Sequence, residues 1–399
     1  MHYLVVANLL LSAVVIAAAA AFGIRAYRKR RGSRRRSRRH GDPAKDYAVR
    51  RNWSSRPGKL NYSSFVYFDV DRDGGYGLGD RPMGGIVARL SGAKGHILTA
   101  RTNGNGFANF TMCAKARHAH ISEARSYDFT ISIPPGWVCT SGNEVQSKEF
   151  ILIDGAPAGI GSAEMVRPVG LAPIRFLSGR TAAGTAATIS VFGSDGIVAR
   201  EAVAPDTPFR IDIPDGAETV VVDGPGFGRR LTLSPYPTHL GTLSAQRTPI
   251  DADVVLETID FNGVTPRGLR KIPSGYAGLN WFNLNALSRD FTGGSEGYVN
   301  GNVSGDHVCY TSSGHPGELW SERPFGFHSV MISAAWLRSE GETARIESWR
   351  GDVLVAVDEI AVSALTPIHY APMLKDVTRI RFSSKHCWQL ALDDLVLAR

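Results

Sequence analysis

Short runs of alternating apolar and polar residues, broken by glycine-rich turns, recur along most of this chain. A period of two with breaks at Gly, Pro, Asn and Asp is typical of β-strands. The clearest predicted strands are Phe65–Asp69, Gly85–Leu90, Ile97–Thr102, Phe107–Met112, Ile189–Phe192, Phe209–Ile213 and Thr219–Val222. Asp195-Gly196 and Asp215-Gly216 are predicted hairpin turns. The pattern predicts an all-β protein built from sandwiches.

The chain length indicates that these strands belong to several modules. At 399 residues the chain exceeds what one hydrophobic core usually serves. We predict a transmembrane anchor at residues 1–24, a basic disordered linker at 25–59 and three β-sandwiches at 60–173, 174–249 and 250–399.

The N-terminal segment Tyr3 to Ile24 carries no charge and is long enough to span a bilayer once as a helix. A cleaved signal peptide is the alternative, with small residues near Ala17–Ala21, but a basic n-region is missing. Ten Lys or Arg residues follow between Arg25 and Arg39, and the positive-inside rule would keep the rest of the chain in the cytoplasm. The sandwich modules favour an extracytoplasmic, cell-envelope location instead, so the orientation stays open.

The charge balance argues against nucleic acid as a partner of the folded part. The net charge is +8, and the basic stretch alone exceeds it. The remainder is therefore close to neutral. The basic stretch either attracts anionic lipid headgroups or acidic polysaccharide, or serves as a topology signal and spacer.

An aspartate-rich segment follows the first predicted strand. Asp69, Asp71 and Asp73 alternate, Gly74 follows them, and Asp80 occupies the twelfth position of the loop. Alternating carboxylates before a turn-forming glycine predict a calcium site like the first half of an EF-hand loop, and a solvated turn is the alternative reading. Asp80 is shorter than the usual glutamate at the twelfth position, which predicts modest affinity.

The segment around this loop resembles the B-type repeat of Gram-positive Sdr and collagen-adhesin surface proteins. The resemblance rests on Asp69 to Gly74, on Gly85-Ile86-Val87 and on the set Thr102, Gly106 and Phe110. Residues 174–249 resemble, more weakly, a carboxypeptidase-regulatory-like sandwich that serves as a spacer. These resemblances imply an envelope stalk.

The final 150 residues resemble a jelly-roll module similar to carbohydrate-binding modules. Leu256 to Phe261, Ile272 to Trp281, Gly297 to Gly301 and Leu390 to Leu395 carry this resemblance. It implies that the first and last strands lie side by side, so that Glu257 or Asp260 meets Asp393 or Asp394 and shares a second structural calcium. An aspartate pair at a surface strand end is the alternative. Aromatic and amide side chains suggest a glycan platform, with core packing as the alternative. The candidate ligand-binding residues are Tyr276, Asn280, Trp281, Tyr298 and Asn300, whereas Trp320, Trp336, Trp349 and Trp388 are expected mainly in packing.

The four cysteines form no metal-ligand pair of the CxxC type. Disulfides Cys113–Cys139 and Cys309–Cys387 suit an oxidising compartment, and buried free thiols are the other reading.

The residues that catalysis requires do not form a recognisable motif. The G-x-S-x-G match at residues 293–297 lacks the strand and helix of a nucleophile elbow, and His118 and His120 are expected on an exposed strand edge. We therefore predict a non-enzymatic envelope binding or adhesion protein. The partners would be a membrane and a polysaccharide or another envelope protein. A structural assembly component and a glycan hydrolase are the alternatives.

Overall fold

The computed structural model describes residues 59–92, 97–113, 125–153, 156–160, 166–245, 254–292 and 296–399. Apart from one six-residue α-helix and four single-turn 3-10 helices, the regular structure in these ranges is β-strand, which confirms the all-β prediction. The predicted membrane segment and the basic stretch lie outside these ranges. Among the described residues, no helix is both long enough and apolar enough to cross a bilayer.

The first sandwich consists of two five-stranded sheets. Its strands are β1 (Lys59–Phe68), β2 (Arg81–Pro82), β3 (Val87–Gly92), β4 (Ile97–Arg101), β5 (Phe107–Cys113), β6 (Arg125–Ser132), β7 (Trp137–Cys139), β8 (Val145–Ile153), β9 (Ala156–Ile160) and β10 (Val169–Pro173). Alternation along β1 and β3 directs Val66, Phe68, Ala88 and Leu90 into the core. Strands β1 and β10 pair in parallel and lie next to the acidic loop that follows β1.

The second sandwich packs a four-stranded sheet, β13-β12-β15-β16, against strands β14-β11-β17. Its strands are β11 (Phe176–Thr181), β12 (Ala187–Gly193), β13 (Gly196–Val203), β14 (Pro208–Asp212), β15 (Ala217–Gly224), β16 (Phe227–Thr232) and β17 (Thr238–Leu243). Asp195-Gly196 closes a hairpin between β12 and β13, as predicted. Asp215-Gly216 does not close a hairpin, because β14 pairs with β11 while β15 pairs with β12.

The C-terminal sandwich contains the longest strands and the largest core. Its elements are β18 (Leu256–Ile259), β19 (Leu269–Lys271), β20 (Asn280–Phe282), β21 (Leu284–Ser288), α1 (Glu296–Gly301), β22 (His307–Thr311), β23 (Gly317–Ala334), β24 (Glu342–Arg350), β25 (Val353–Val362), β26 (Ile368–Tyr370), β27 (Leu374–Ser384) and β28 (Leu390–Ala398). The single-turn helices are Tyr276–Gly278, Arg289–Phe291, Ser312–Gly314 and Leu337–Ser339. β18 pairs with β28, so the first and last strands lie side by side, as the resemblance implied.

The three sandwiches share packing, and residues Leu60–Arg399 form one compact unit. The parallel pairing of β17 with β26 joins a sheet of the second sandwich to the C-terminal one. Tyr236, Val303 and Met331 join the core of the first sandwich, while Ala371 and Met373 join that of the second. The exact boundaries between modules stay a prediction.

Candidate functional site

The acidic loop follows directly from the end of β1. Asp69 has no solvent exposure, whereas Asp71 and Asp73 are exposed. One oxygen from each of the three carboxylates lies within 4.8 Å of the others. Two ligands of the same calcium ion lie at most about 5 Å apart, because each Ca–O distance is about 2.3–2.6 Å. The loop therefore gathers ligands at a spacing that suits this cation.

Backbone N–H groups hold the three carboxylates in place. Gly74 N–H donates to Asp69 Oδ2 (2.9 Å), Asp73 N–H to Asp71 Oδ1 (3.2 Å) and Gly75 N–H to Asp73 Oδ1 (2.6 Å). Gly74 has a φ of 80°, and a Cβ there would lie 3.0 Å from the carbonyl oxygen of Thr140. Glycine is thus needed at this turn for both its conformation and its small size.

A buried oxygen of Asp69 lacks a partner. Within the described ranges, no donor reaches Asp69 Oδ1, although the atom is shielded from solvent. A buried polar atom without a hydrogen bond costs roughly 1–3 kcal/mol, and a metal ion beside it would remove this cost. The orphaned oxygen fits a cation in this loop.

The electrostatics of the loop also favour a positive charge. The hydrogen bond from the Asp73 backbone lowers the pKa of Asp71. Desolvation and the neighbouring carboxylates raise this pKa by more, so the net shift is upward. Burial, with Asp69, Asp80 and Asp73 nearby, raises the pKa of Tyr67 to about 12. Desolvation is the largest cause that raises each pKa, and the neighbouring carboxylates add to both shifts.

Asp80 closes the loop and lies outside the three-carboxylate cluster. Its Oδ1 accepts from Val70 N–H (3.0 Å) and its Oδ2 from Gly77 N–H (2.7 Å). The predicted role of Asp80 as a twelfth-position metal ligand remains a prediction, whereas its observed contacts fix the two ends of the loop together.

The two aspartates of the second predicted calcium site each accept hydrogen bonds from nearby groups, and the site itself stays a prediction. Asp393 is fully buried, and its oxygens accept from Val303, Ser304 and Asp394 N–H groups. Both oxygens of Asp260 accept from Asn262. Among the described residues, the Asp69, Asp71 and Asp73 cluster is the only group of three or more possible ligands within this spacing. Asp393 instead orders the Val303–Ser304 turn, and burial raises its pKa well above the ordinary value.

The structure also corrects the predicted glycan platform. Trp281 and Tyr298 are each only 5% exposed, and Tyr276 packs beside Trp281. Asn280 accepts from Ser274, and Asn300 forms hydrogen bonds with Gly84 and Ala364. Trp281 and Tyr298 belong to the core and Asn300 to a junction with the first sandwich, whereas Asn280 is half-buried at the surface.

Two other aromatic residues of this sandwich are more accessible. Phe282 is 57% exposed and Trp320 is 37% exposed. Trp320 was expected in packing, and nothing in its local sequence distinguishes it from Trp281. The missing signal is the register of β20, β23 and β27, which decides the direction of each ring.

The cysteines are free thiols where their side chains are described. Cys309 is buried and Cys387 is exposed, so the predicted Cys309–Cys387 bridge does not form. Burial raises the pKa of Cys309 well above its usual value, as expected for an inert thiol. Cys139 is also free, while the side chain of Cys113, together with His118, His120 and residues 293–295, lies outside what the structure describes.

The chain has similar solved structures but no matching family model. No family model matches the sequence, and no curated protein matches it. Similar solved structures include the TIE protein of Bacillus anthracis, at 10% identity and a TM-score of 0.22, over 47% of this chain and 33% of that one. A mutant of the shaft pilin SpaA from Lactobacillus rhamnosus GG has the same identity and score, over 47% and 97% of the two chains.

A mutant of the major pilin of Streptococcus pyogenes is 8% identical, with a TM-score of 0.21, over 82% of this chain and 99% of that one. The match spans about a third of the length of the TIE protein. At these scores the function has to be argued from the chain's own residues.

Proposed function

We propose that this protein is a non-catalytic, calcium-stabilised binding protein of a cell envelope, in which two sandwiches support a C-terminal recognition module. The acidic loop carries the proposal. Three aspartates place oxygens within 4.8 Å of one another, and Asp69 Oδ1 is buried without a partner among the described residues. A hard cation with oxygen ligands satisfies both features.

The location of the loop supports a structural role for the cation. Arg72, inside the loop, donates to Asp215 (2.8 Å) and to the carbonyl oxygen of Pro173 (2.5 Å). Arg81, directly after the loop, donates to the carbonyl oxygen of Asn302 (2.9 Å). The loop is thus bordered by contacts to both other sandwiches. A bound cation would hold these junctions together.

The expected affinity supports a location outside the cytoplasm. Calcium sites in extracellular modules have dissociation constants of roughly 10⁻⁴–10⁻³ M, and the aspartate at position 80 favours this weak range. Such a site fills only where calcium is plentiful. The apolar N-terminal segment and the basic stretch would tether the chain to the membrane, and the ligand of the C-terminal module would be a glycan.

Calorimetry of the full-length chain in mild detergent tests the cation. The melting temperature is measured in millimolar calcium and again in excess EGTA. We expect a higher melting temperature with calcium, since a ligand at one to ten times its dissociation constant stabilises by roughly 0.4–1.4 kcal/mol. Equal melting temperatures in the two buffers would refute a stabilising cation.

Asp71→Asn is the informative variant. Asparagine retains an oxygen for the Asp73 N–H but removes a charge, so the calcium-dependent increase should disappear while stability in EGTA does not fall. Asp195→Asn, an exposed aspartate in the β12–β13 turn, is the matched control and should keep the full increase. Loss of the increase in both variants would point to a general charge effect instead.

A further inference from the structure

One surface of the C-terminal sandwich combines aromatic and planar polar side chains across adjacent strands. Strands β20, β23, β27 and β24 lie next to one another in this order. The register places Asn280, Trp320, Arg379 and Trp349 opposite one another in one row. Phe282, Glu318, Arg381 and Glu347 form the next row on the same side. We call these two rows the outer face.

The opposite side of the same strands is the hydrophobic core. Leu319, Ile380 and Phe382 alternate with the outer-face residues and are buried. The core therefore fixes the backbone beneath the outer face and the direction of its side chains.

Contacts within the outer face hold its side chains in position. The guanidinium of Arg379 stacks on the ring of Trp349, with 4.2 Å between the guanidinium carbon and the ring centroid. Arg381 lies 3.5 Å from Glu318 and 3.9 Å from Glu347. In the part of the chain that the structure describes, Arg379 Nε is buried and has no hydrogen-bond partner.

A groove of about 500 Å³ opens at one end of the outer face. A bulge in β23 between Trp320 and Phe325 interrupts its pairing with β27, and Ser321 and Glu322 form one side of the groove. Gly351 and Asp352, in the β24–β25 turn, form the other side. Bulges commonly redirect side chains at binding sites, and this volume falls within the usual range for ligand sites.

The chemistry of this groove indicates which ligand it fits. Trp320 offers an exposed ring face for C–H groups, while carboxylates and Arg379 offer acceptors and donors for hydroxyls. Trp320 and Trp349 lie two strands apart, about 9.5 Å, a distance that successive sugar rings can cover. Glu318, Glu322 and Asp352 outnumber the single guanidinium in the lining, which disfavours acidic sugars.

We propose that this groove and the adjoining outer face bind an uncharged polysaccharide, with Trp320 as the stacking platform. The proposal rests on the binding role proposed above and moves the glycan site from Trp281 and Tyr298 to a different surface. Arg379, which lines the groove, positions the ligand by donating to its hydroxyls, and the carboxylates at the groove accept hydroxyl hydrogens.

Binding isotherms on insoluble polysaccharides test the proposal. Full-length chain in mild detergent is incubated with cellulose, chitin or β-1,3-glucan particles, and with polygalacturonate and poly-L-lysine beads as charged probes. We expect binding to at least one neutral polysaccharide, at least tenfold weaker binding for Trp320→Ala, and a smaller loss, about threefold, for Arg379→Gln. Trp388→Ala is the matched control, because Trp388 is similarly exposed (36%) but does not line the groove.

Three results would overturn the proposal: no binding to any neutral probe, unchanged binding by Trp320→Ala, or preferential binding to poly-L-lysine. The melting temperature of each variant, measured with and without calcium, separates the two proposals. A normal calcium response without glycan binding would refute only the proposed glycan site. Glycan binding that depends on Trp320, without any calcium response, would refute only the proposed cation site.

Discussion

The acidic loop and the outer face differ in how their residues come together. The loop residues Asp69 to Asp80 follow one another in a single short segment, so their spacing in the sequence already sets much of their geometry. The outer face takes its residues from four strands, and only the pairing register aligns Trp320 with Arg379 and Trp349. A site made by one turn is visible in a sequence, whereas a site made by register is not.

The largest expected effect is on the buried side of the strands that carry the outer face. It tests whether this core holds the outer face in place. Phe382 is fully buried on β27, between the outer-face residue Arg381 and Ser383. Phe382→Ala should lower the free energy of unfolding by about 3–5 kcal/mol, because it leaves a cavity. Urea unfolding measures this change. Calcium should still raise the melting temperature of this variant, since the loop geometry is local.

Lys385→Ala, at an exposed position just beyond β27, is the control and should change stability by less than about 0.5 kcal/mol. A Phe382→Ala variant as stable as this control would contradict the view that the core fixes the outer face.

The second prediction concerns pH and the long-range pairing of β26. Burial, and to a lesser degree His328, lowers the pKa of His369 to about 4. His369 is therefore neutral in the folded protein, and its contribution to stability is present above the unfolded pKa near 6.5 and is lost as the pH falls through about 4. The loss should reach roughly 2–3 kcal/mol between pH 7 and pH 4.

Urea unfolding across this pH range, compared with His369→Asn, measures the contribution of His369. The variant should show a flatter pH dependence, while the exposed His315→Asn should follow the parent protein. Parallel curves for the parent and His369→Asn would remove His369 as the cause.

The smallest effect concerns the loop itself. Gly74→Ala forces alanine into a left-handed conformation, which costs about 1–2 kcal/mol, and places its Cβ close to the Thr140 carbonyl. Gly136→Ala has a similar φ, but its Cβ would meet no described atom within 4 Å. Unfolding in EGTA should show that Gly74→Ala is the more destabilising of the two. Equal losses would mean that Thr140 does not restrict the turn.

Local patterns allowed many of the strands to be predicted. The predicted runs Phe65–Asp69, Ile189–Phe192 and Phe209–Ile213 overlap β1, β12 and β14, although only β14 buries strictly every second side chain. The alternating aspartates before Gly74 predicted a carboxylate cluster, because residues of one short turn lie close together. In these segments the sequence period and the local geometry agree.

The failures arose where distant strands decide the outcome. Trp281 and Phe282 are neighbours in β20, yet one ring is buried and the other is exposed. The residue types around Asn300 suggested a sugar-binding surface. The side-chain amide of Asn300 instead forms hydrogen bonds with the backbone of Gly84 in the first sandwich. Likewise, Asp393 accepts hydrogen bonds from the Val303–Ser304 turn, which the sequence did not indicate. None of these partners is close in sequence.

The pairing of β18 with β28 has a consequence for how the protein folds. Leu256 pairs with Ala398, so the C-terminal sandwich cannot close before its last strand is available. Contacts between residues so far apart in the chain make folding slow. During synthesis, at about 5–20 residues per second, the apolar sides of β21 to β27 would stay open for several seconds. A nascent chain of this kind needs protection from aggregation until β28 arrives.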